Sequence, residues 1–172
     1  FVLDFVGQIK CDIIVQINPT SPLISVSDIK NFVQSMITNN FDTLHSVKKE
    51  QIEGIFKGKP MNFDPFKPMP RSQNLEPIML FSSAIMGWKV SKYLEVYKKF
   101  KAATYGGDSK IGYFTLEGFS TIDIDHEEDF LFAELAIAFK KNFHLVEPKY
   151  YEPKEKQNFR IEREVFNILI RD

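Results

Sequence analysis

The chain is poor in the residues that staple or metallate small proteins: its 172 residues hold a single cysteine, Cys11, and three histidines. One thiol cannot close an internal disulfide, and three scattered histidines give no support to a zinc cluster or a Cys–His nucleophile pair. A reduced, cytoplasmic protein is therefore the expectation. Long apolar runs are missing too. None approaches the ~18 residues of a membrane-spanning helix, and the start lacks a cationic stretch leading to a cleavage site. No basic tract is present either: 22 Lys and Arg stand against 23 Asp and Glu, spread along the chain, for a formal net charge of -1. That balance points away from nucleic acid and from a membrane surface. Internal repeats and low-complexity tracts are absent.

What remains is a chain with 44% hydrophobic residues, enough for one domain with a real core. Its first residues, Phe1-Val2-Leu3-Asp4-Phe5-Val6, are apolar from the outset and read as the middle of an element. The expectation is that further sequence precedes them.

Residues 12–17 form a β-branched run and predict a buried strand. Pro19 and Pro22 end it by withholding donors and restricting their predecessors. Ile29, Phe32, Val33, Met36 and Ile37 then recur at helical spacing, with Ser25 and Asp28 in capping-box positions. Residues 43–47 read as the next strand, giving a βαβ unit and hence a parallel sheet. Between residues 50 and 77 five prolines break the pattern into a long irregular excursion of the kind that is usually functional or disordered. Residues 78–88 predict a strand, 91–101 a helix, 106–108 a glycine turn and 111–116 another strand. A short strand over 121–125 should feed a helix from His126 to about Lys141. Residues 1–143 are thus read as one α/β domain and 144–172 as a linker and C-terminal extension, with a possible last helix over 159–170.

The most informative string is Ser120-Thr121-Ile122-Asp123-Ile124-Asp125-His126-Glu127-Glu128-Asp129-Phe130. In an extended chain residues two apart share a face, so Asp123 and Asp125 point one way while Ile122 and Ile124 face the core. Two adjacent carboxylates repel unless a cation lies between them, and such oxygen ligands suit Mg²⁺ beside phosphate oxygens and water. A plainer reading stands next to it. Asp125 is a good N-cap and Glu128 completes a capping box three residues on. From spacing alone both readings stay open.

The same string resembles the closing signature of the acylneuraminate cytidylyltransferases, the CMP–sialic acid synthetase family, with His126 where that family has Thr. Two further blocks are similar in the family's order: Asn18-Pro19-Thr20-Ser21-Pro22-Leu23, and Arg71-Ser72-Gln73-Asn74-Leu75-Glu76-Pro77 followed by Ser82-Ser83-Ala84-Ile85. The resemblance implies a nucleotide-diphospho-sugar transferase type of α/β fold. That is a Rossmann-like, mostly parallel sheet with helices on both faces, here without its N-terminal part. It implies transfer of CMP from CTP to an acidic sugar, sialic acid or a related nonulosonic acid, with release of pyrophosphate. Asp123 and Asp125 would be catalytic and hold Mg²⁺. Asn18, Ser21, Arg71, Gln73 and Ser82 would bind substrate, and residues 88–119 would make a homodimer contact. The family's Gly-rich basic front loop has no counterpart, since Gly106-Gly107-Asp108 reads as a turn. Asn18, Ile24 and Ser82 also depart from the family's residues. Those departures keep two alternatives open: activation of a phosphonate or another small acid, and a non-catalytic binding or assembly module.

Overall fold

The computed structural model describes residues 2–142, and the extension read from residue 144 onward lies outside them. Twelve elements follow in order, of which four helices and four strands build the body: α1 (Val2–Gln8), β1 (Ile13–Ile17), α2 (Val26–Thr38), β2 (Thr43–Glu50), β5 (Ile78–Lys89), α3 (Val90–Phe100), β6 (Ile111–Thr115) and α4 (Glu127–Asn142). The remaining four are small: β3 (Ile55–Phe56), β4 (Lys59–Pro60) and two 3₁₀ turns, Ser72–Asn74 and Gly118–Thr121.

The sheet runs β1-β5-β2-β6. β5 is antiparallel to both β1 and β2, and β2 is parallel to β6, so β1, β2 and β6 all point one way. The sheet is mostly parallel in direction, as expected, with one correction. The predicted βαβ unit does not put its strands side by side, because β5 is inserted between β1 and β2.

Alternation along β5 and β1 assigns the faces. Ile85, Ile13 and Val15 meet α2 in a core of Phe32, Met36, Leu44 and Leu116. Met86, Trp88 and Ile14 meet α1 and α3 in a second core with Tyr93, Val96 and Ala103. Helices therefore cover both faces. Phe32 and Trp88 are essentially sealed from solvent, each worth roughly 1.5–3 kcal/mol of burial. α2 reaches the sheet this closely because position 87 is Gly: a Cβ there would lie 2.9 Å from the Phe32 ring. The α2 cap is as predicted, with Ser25 Oγ accepting from the Asp28 N–H and the Asp28 carboxylate accepting from the Ser25 N–H, both at 3.0 Å.

Two expectations fail near the end of the domain. Residues 121–125 form no strand. They leave the Gly118–Thr121 turn with the Ile122 N–H on the Phe119 carbonyl (3.2 Å), and the Ile124 N–H then ties them to the Thr20 carbonyl (2.8 Å). The alternation nonetheless holds, since Ile122 and Ile124 both pack with Leu23, Ala133 and Ala136 under α4. The cap of α4 is also displaced by one residue. His126 is the N-cap: its carbonyl accepts from Phe130 at 3.3 Å. The reciprocal acid is Asp129, not Glu128, and its Oδ2 accepts from the His126 N–H at 2.9 Å and the Asp125 N–H at 3.1 Å.

The proline-rich excursion is more ordered than its composition predicts. β3 and β4 pair through a two-residue turn at Lys57 and Gly58, with φ of 50° and 76°, the mirror-image turn that suits a hairpin's twist. Asn62 fastens it by donating to the carbonyls of Ile52 and Glu76 and accepting from the Gly54 N–H.

Candidate active site

In sheets of this kind ligands bind beyond the carboxyl ends of the parallel strands. At that end of β1 the chain turns at Asn18, whose N–H is held by the Ala84 carbonyl at 2.9 Å, and Ser21 N–H closes the turn on the Asn18 carbonyl at 3.2 Å. Gln16 steadies the Asn18 side chain by donating to Oδ1 at 3.1 Å. The 120–125 segment closes onto this loop. Ser21 is buried, and its hydroxyl donates to Asp123 Oδ1 at 3.2 Å across 102 residues of sequence. The Ile124–Thr20 backbone bond lies beside it. The first and last of the three sequence blocks are thus brought together, with Asn18, Ser21 and Asp123 at one end of the sheet.

Asp28 belongs to the same structure and was read from sequence only as a cap. Its Oδ2 accepts from the Ser25 hydroxyl at 2.6 Å and from the Ser120 hydroxyl at 2.7 Å, besides the Ser25 N–H. Burial alone would push its carboxyl pKa up. The bonds from Ser25 and Ser120, with the charge of Lys140, outweigh that and hold it below the usual carboxylate range.

Asp125 differs. Its side chain is exposed and takes no partner among the described residues, and only its N–H is engaged, by Asp129. Among those residues no group of three or more His, Cys, Asp or Glu gathers as a metal cage. Asp123 and Asp125 remain a pair of carboxylates on an accessible segment. That donor set fits Mg²⁺, which dehydrates reluctantly and is commonly held by one or two carboxylates plus substrate phosphates.

The third block stands apart. Arg71 and Gln73 are both exposed, in and beside the Ser72–Asn74 turn. Gln51, which directly follows β2, donates to the carbonyls of Gln73 and Leu75, each at 3.0 Å. The excursion is therefore tied to the carboxyl end of β2, but no hydrogen bond joins the Arg71 or Gln73 side chain to Asn18, Ser21, Asp123 or Asp125. Ser82 sits in a wide bulge. His45 faces Met86 and Val47 faces Phe81, so Ser82 to Ile85 lie opposite Ser46 alone. The Ser46 hydroxyl fills the gap, bonding Ser82 Oγ at 2.7 Å and accepting from the Ile85 N–H at 2.9 Å. Ser83 takes a φ of 54° there, a conformation that costs a non-glycine residue.

Two hollows flank the segment. An open groove of about 620 Å³ runs along α4, walled by Phe119, Ile122, Phe132 and Phe139 with Asp123 and Asp129 in its lining. A smaller one of about 350 Å³ lies at the ends of β2 and β6, lined by Lys48, Lys49, Thr115, Glu117 and Thr121. Lys48 is paired with Glu50 at 2.5 Å, and Lys57 lies over the Phe56 ring.

No protein-family model matches the chain, and no curated protein matches it. Among solved structures the chain is similar to the crystal structure of 4-diphosphocytidyl-2C-methyl-D-erythritol synthase from Anaerococcus prevotii DSM 20548, with a TM-score of 0.56 at 12% sequence identity. The match covers 80% of this chain and 64% of that one. At that identity the likeness establishes the fold alone, and the chain spans less than two thirds of its neighbour's length.

Proposed function

We propose that the chain carries the site of a CTP-dependent cytidylyltransferase whose acceptor is an acidic sugar, sialic acid or a related nonulosonic acid. The observation that carries the reading is the closure of the 120–125 segment on the loop after β1, which joins Ser21 to Asp123 at the ligand-binding end of the sheet. In the reaction an acceptor hydroxyl oxygen attacks the α-phosphorus of CTP. The bond from that phosphorus to the bridging oxygen breaks, pyrophosphate leaves with the electron pair, and the hydroxyl proton passes to solvent. Phosphoryl-type transfer of this sort depends chiefly on positioning and charge neutralisation.

Each residue then has a task. Asp123 and Asp125 hold Mg²⁺, which when bound neutralises charge on the phosphates. Ser21 fixes the rotamer of Asp123 by donating to one of its oxygens, leaving the other free. Asn18, positioned by Gln16 and the Ala84 carbonyl, lines the nucleotide side. Arg71 and Gln73 reach the acceptor from the excursion, where a guanidinium can grip a carboxylate with two parallel bonds. Ser82 shapes the floor through its bond to Ser46.

Activation of a phosphonate or another small acid is a second reading. It rests on Ser82 and Ser83, which fill a strained bulge beside Asn18 where the resembled family places Asn-Gly. The assay is CTP-dependent pyrophosphate release over a panel of nonulosonic acids, phosphonates and small carboxylic acids, with and without Mg²⁺. Release with a nonulosonic acid alone selects the first reading, and release with a phosphonate alone selects the second. CTP binding without release from any acid marks a non-catalytic module.

A homodimer belongs to the same proposal, through exposed aromatics of the 88–119 segment together with Phe81 of β5. Tyr93 is buried against Trp88, and Phe114 packs edge-on to Phe32 at 5.5 Å, so both serve the core. Tyr105 and Tyr113 stay exposed and join exposed Phe81 in a cluster with ring centroids 5.6 and 6.0 Å from it. Aromatic patches of this type are enriched at interface cores.

A further inference from the structure

We infer that Asp28 and Ser120 form the positioning device for Asp123, an inference that rests on the cytidylyltransferase reading for its consequence in turnover. A capping box at α2 needs from Asp28 only a bond back to the N-cap N–H. Asp28 does more. The same Oδ2 takes the hydroxyl of Ser120, 92 residues away and buried, at 2.7 Å. That bond fixes the start of the closing segment to the first turn of α2.

Three residues further on, the segment is fixed a second time. Asp123 accepts from Ser21, and the Ile124 N–H bonds the Thr20 carbonyl. Between these anchors lie Thr121 and Ile122, which form no sheet ladder: the Thr121 hydroxyl and the Ile122 N–H bond back to the Gly118 and Phe119 carbonyls of the turn, and the Ile122 side chain packs in the apolar cluster under α4. With no ladder to set its course, the direction of the chain at Asp123 depends on where Ser120 is held. Ser21 sits in the loop that leads into the α2 cap, so Asp28 grips both sides of the joint. It holds the loop through Ser25 and the closing segment through Ser120. Lys140 on α4 adds the attraction of its charge. Asp28 touches no reacting group, and it acts through Ser120 and Ser25.

A role confined to helix stability makes a different forecast, because the capping bonds survive without Ser120. The test uses Ser120→Ala in the full chain, with Ser25→Ala as its control, and reads amide hydrogen exchange at two positions. In Ser120→Ala the Ile124 N–H should exchange faster by about tenfold or more, while the Asp28 N–H, bonded to Ser25 Oγ, stays within about twofold of the parent. In Ser25→Ala the order should reverse. In the pyrophosphate assay Ser120→Ala should lower kcat and leave KM for CTP nearly unchanged. An Ile124 amide that exchanges as in the parent, or one that speeds up only together with Asp28, overturns the inference. Should Ser120→Ala not fold, Ser120→Cys, a weaker donor of similar size, is read by the same two amides. A parent chain that releases no pyrophosphate with any acid sinks the cytidylyltransferase reading alone, and the exchange data still decide whether Asp28 and Ser120 hold Asp123.

Discussion

The displaced cap of α4 separates two roles, capping and metal binding, that the sequence leaves open together at Asp125. Asp129 receives the N–H groups of Asp125 and His126, at 3.1 and 2.9 Å, whereas the Asp125 carboxylate is exposed and unengaged among the described residues. Removing a capping side chain costs about 1 kcal/mol, and in a chain of this size that lowers Tm by about 2–4 °C. Asp129→Ala should show that loss, in urea or heat, with Mg²⁺-dependent turnover reduced only as far as the 120–125 segment loosens. Asp125→Asn should leave Tm within about 1 °C, since an exposed substitution away from a cap stays near zero on stability. Its CTP turnover should fall by orders of magnitude because Mg²⁺ loses a charged ligand. The assay is a paired measurement of melting temperature and Mg²⁺-dependent pyrophosphate release on both variants. Normal turnover in Asp125→Asn would refute the metal role of Asp125, and an unchanged Tm in Asp129→Ala would refute the assignment of the cap to Asp129.

Further outcomes follow from the same geometry. Gly87→Ala sets a methyl 2.9 Å from the Phe32 ring and 3.1 Å from Met36 Sδ, and overpacking of this kind costs about 1–3 kcal/mol; an unchanged denaturant midpoint would show that α2 is free to shift. Stability should fall with acid in two windows. The buried His45 ring has its pKa held below the ordinary 6.5 by burial, with the Tyr105 backbone acting in the opposite sense. The unfolded chain therefore binds a proton before the folded one does, and stability declines as pH drops below 6.5, a slope that His45→Leu should remove. Asp28 and Asp42 lie below their ordinary 3.8. Burial raises both, and bonds from Ser25 and Ser120 in one case and from Lys89 and Lys110 in the other more than offset it. Their stabilisation is full above about pH 4 and is lost as pH falls through the lowered values. Replacing Phe81 and Tyr105 together with Ser should convert a two-fold dimer to monomer at micromolar concentration by sedimentation; a parent chain already monomeric would retire the aromatic patch as an interface.

The strands and helices were legible where one period ran uninterrupted. β-branched residues over β1, the 3.6-residue apolar spacing of α2 and the Ser25–Asp28 pair each point to one answer, and the structure follows them to within a residue or two. Order across the sheet was not legible. Nothing in residues 78–88 distinguishes a strand that lies beyond β2 from one inserted between β1 and β2, because both positions bury the strand on two faces. The hairpin at Lys57–Gly58 was hidden for a different reason. Its strands are two residues each, too short for alternation to register, and the prolines around it dominate the local composition.

The candidate site shows the same division between what is local and what is not. The carboxylate pair and the Pro-Thr-Ser-Pro loop are visible as strings, but the contact between them depends on Ser21 and Ser120, hydroxyl residues with no periodic signal of their own. Residues 121–125 carry the alternation of a strand, and alternation reports only that Ile122 and Ile124 face apolar surroundings. Whether a neighbouring strand supplies a ladder is a separate matter, decided by the sheet's edge. Here α4 and the loop after β1 supply the apolar surface instead, and the Ile124–Thr20 bond is the segment's one backbone tie to that loop among the described residues. A segment so lightly tied gains its definition from side chains. That is why Asp28, a residue the sequence marks as no more than a helix cap, becomes the point on which the orientation of Asp123 turns: its carboxylate receives donors from both Ser25, where the loop enters α2, and Ser120, where the closing segment begins.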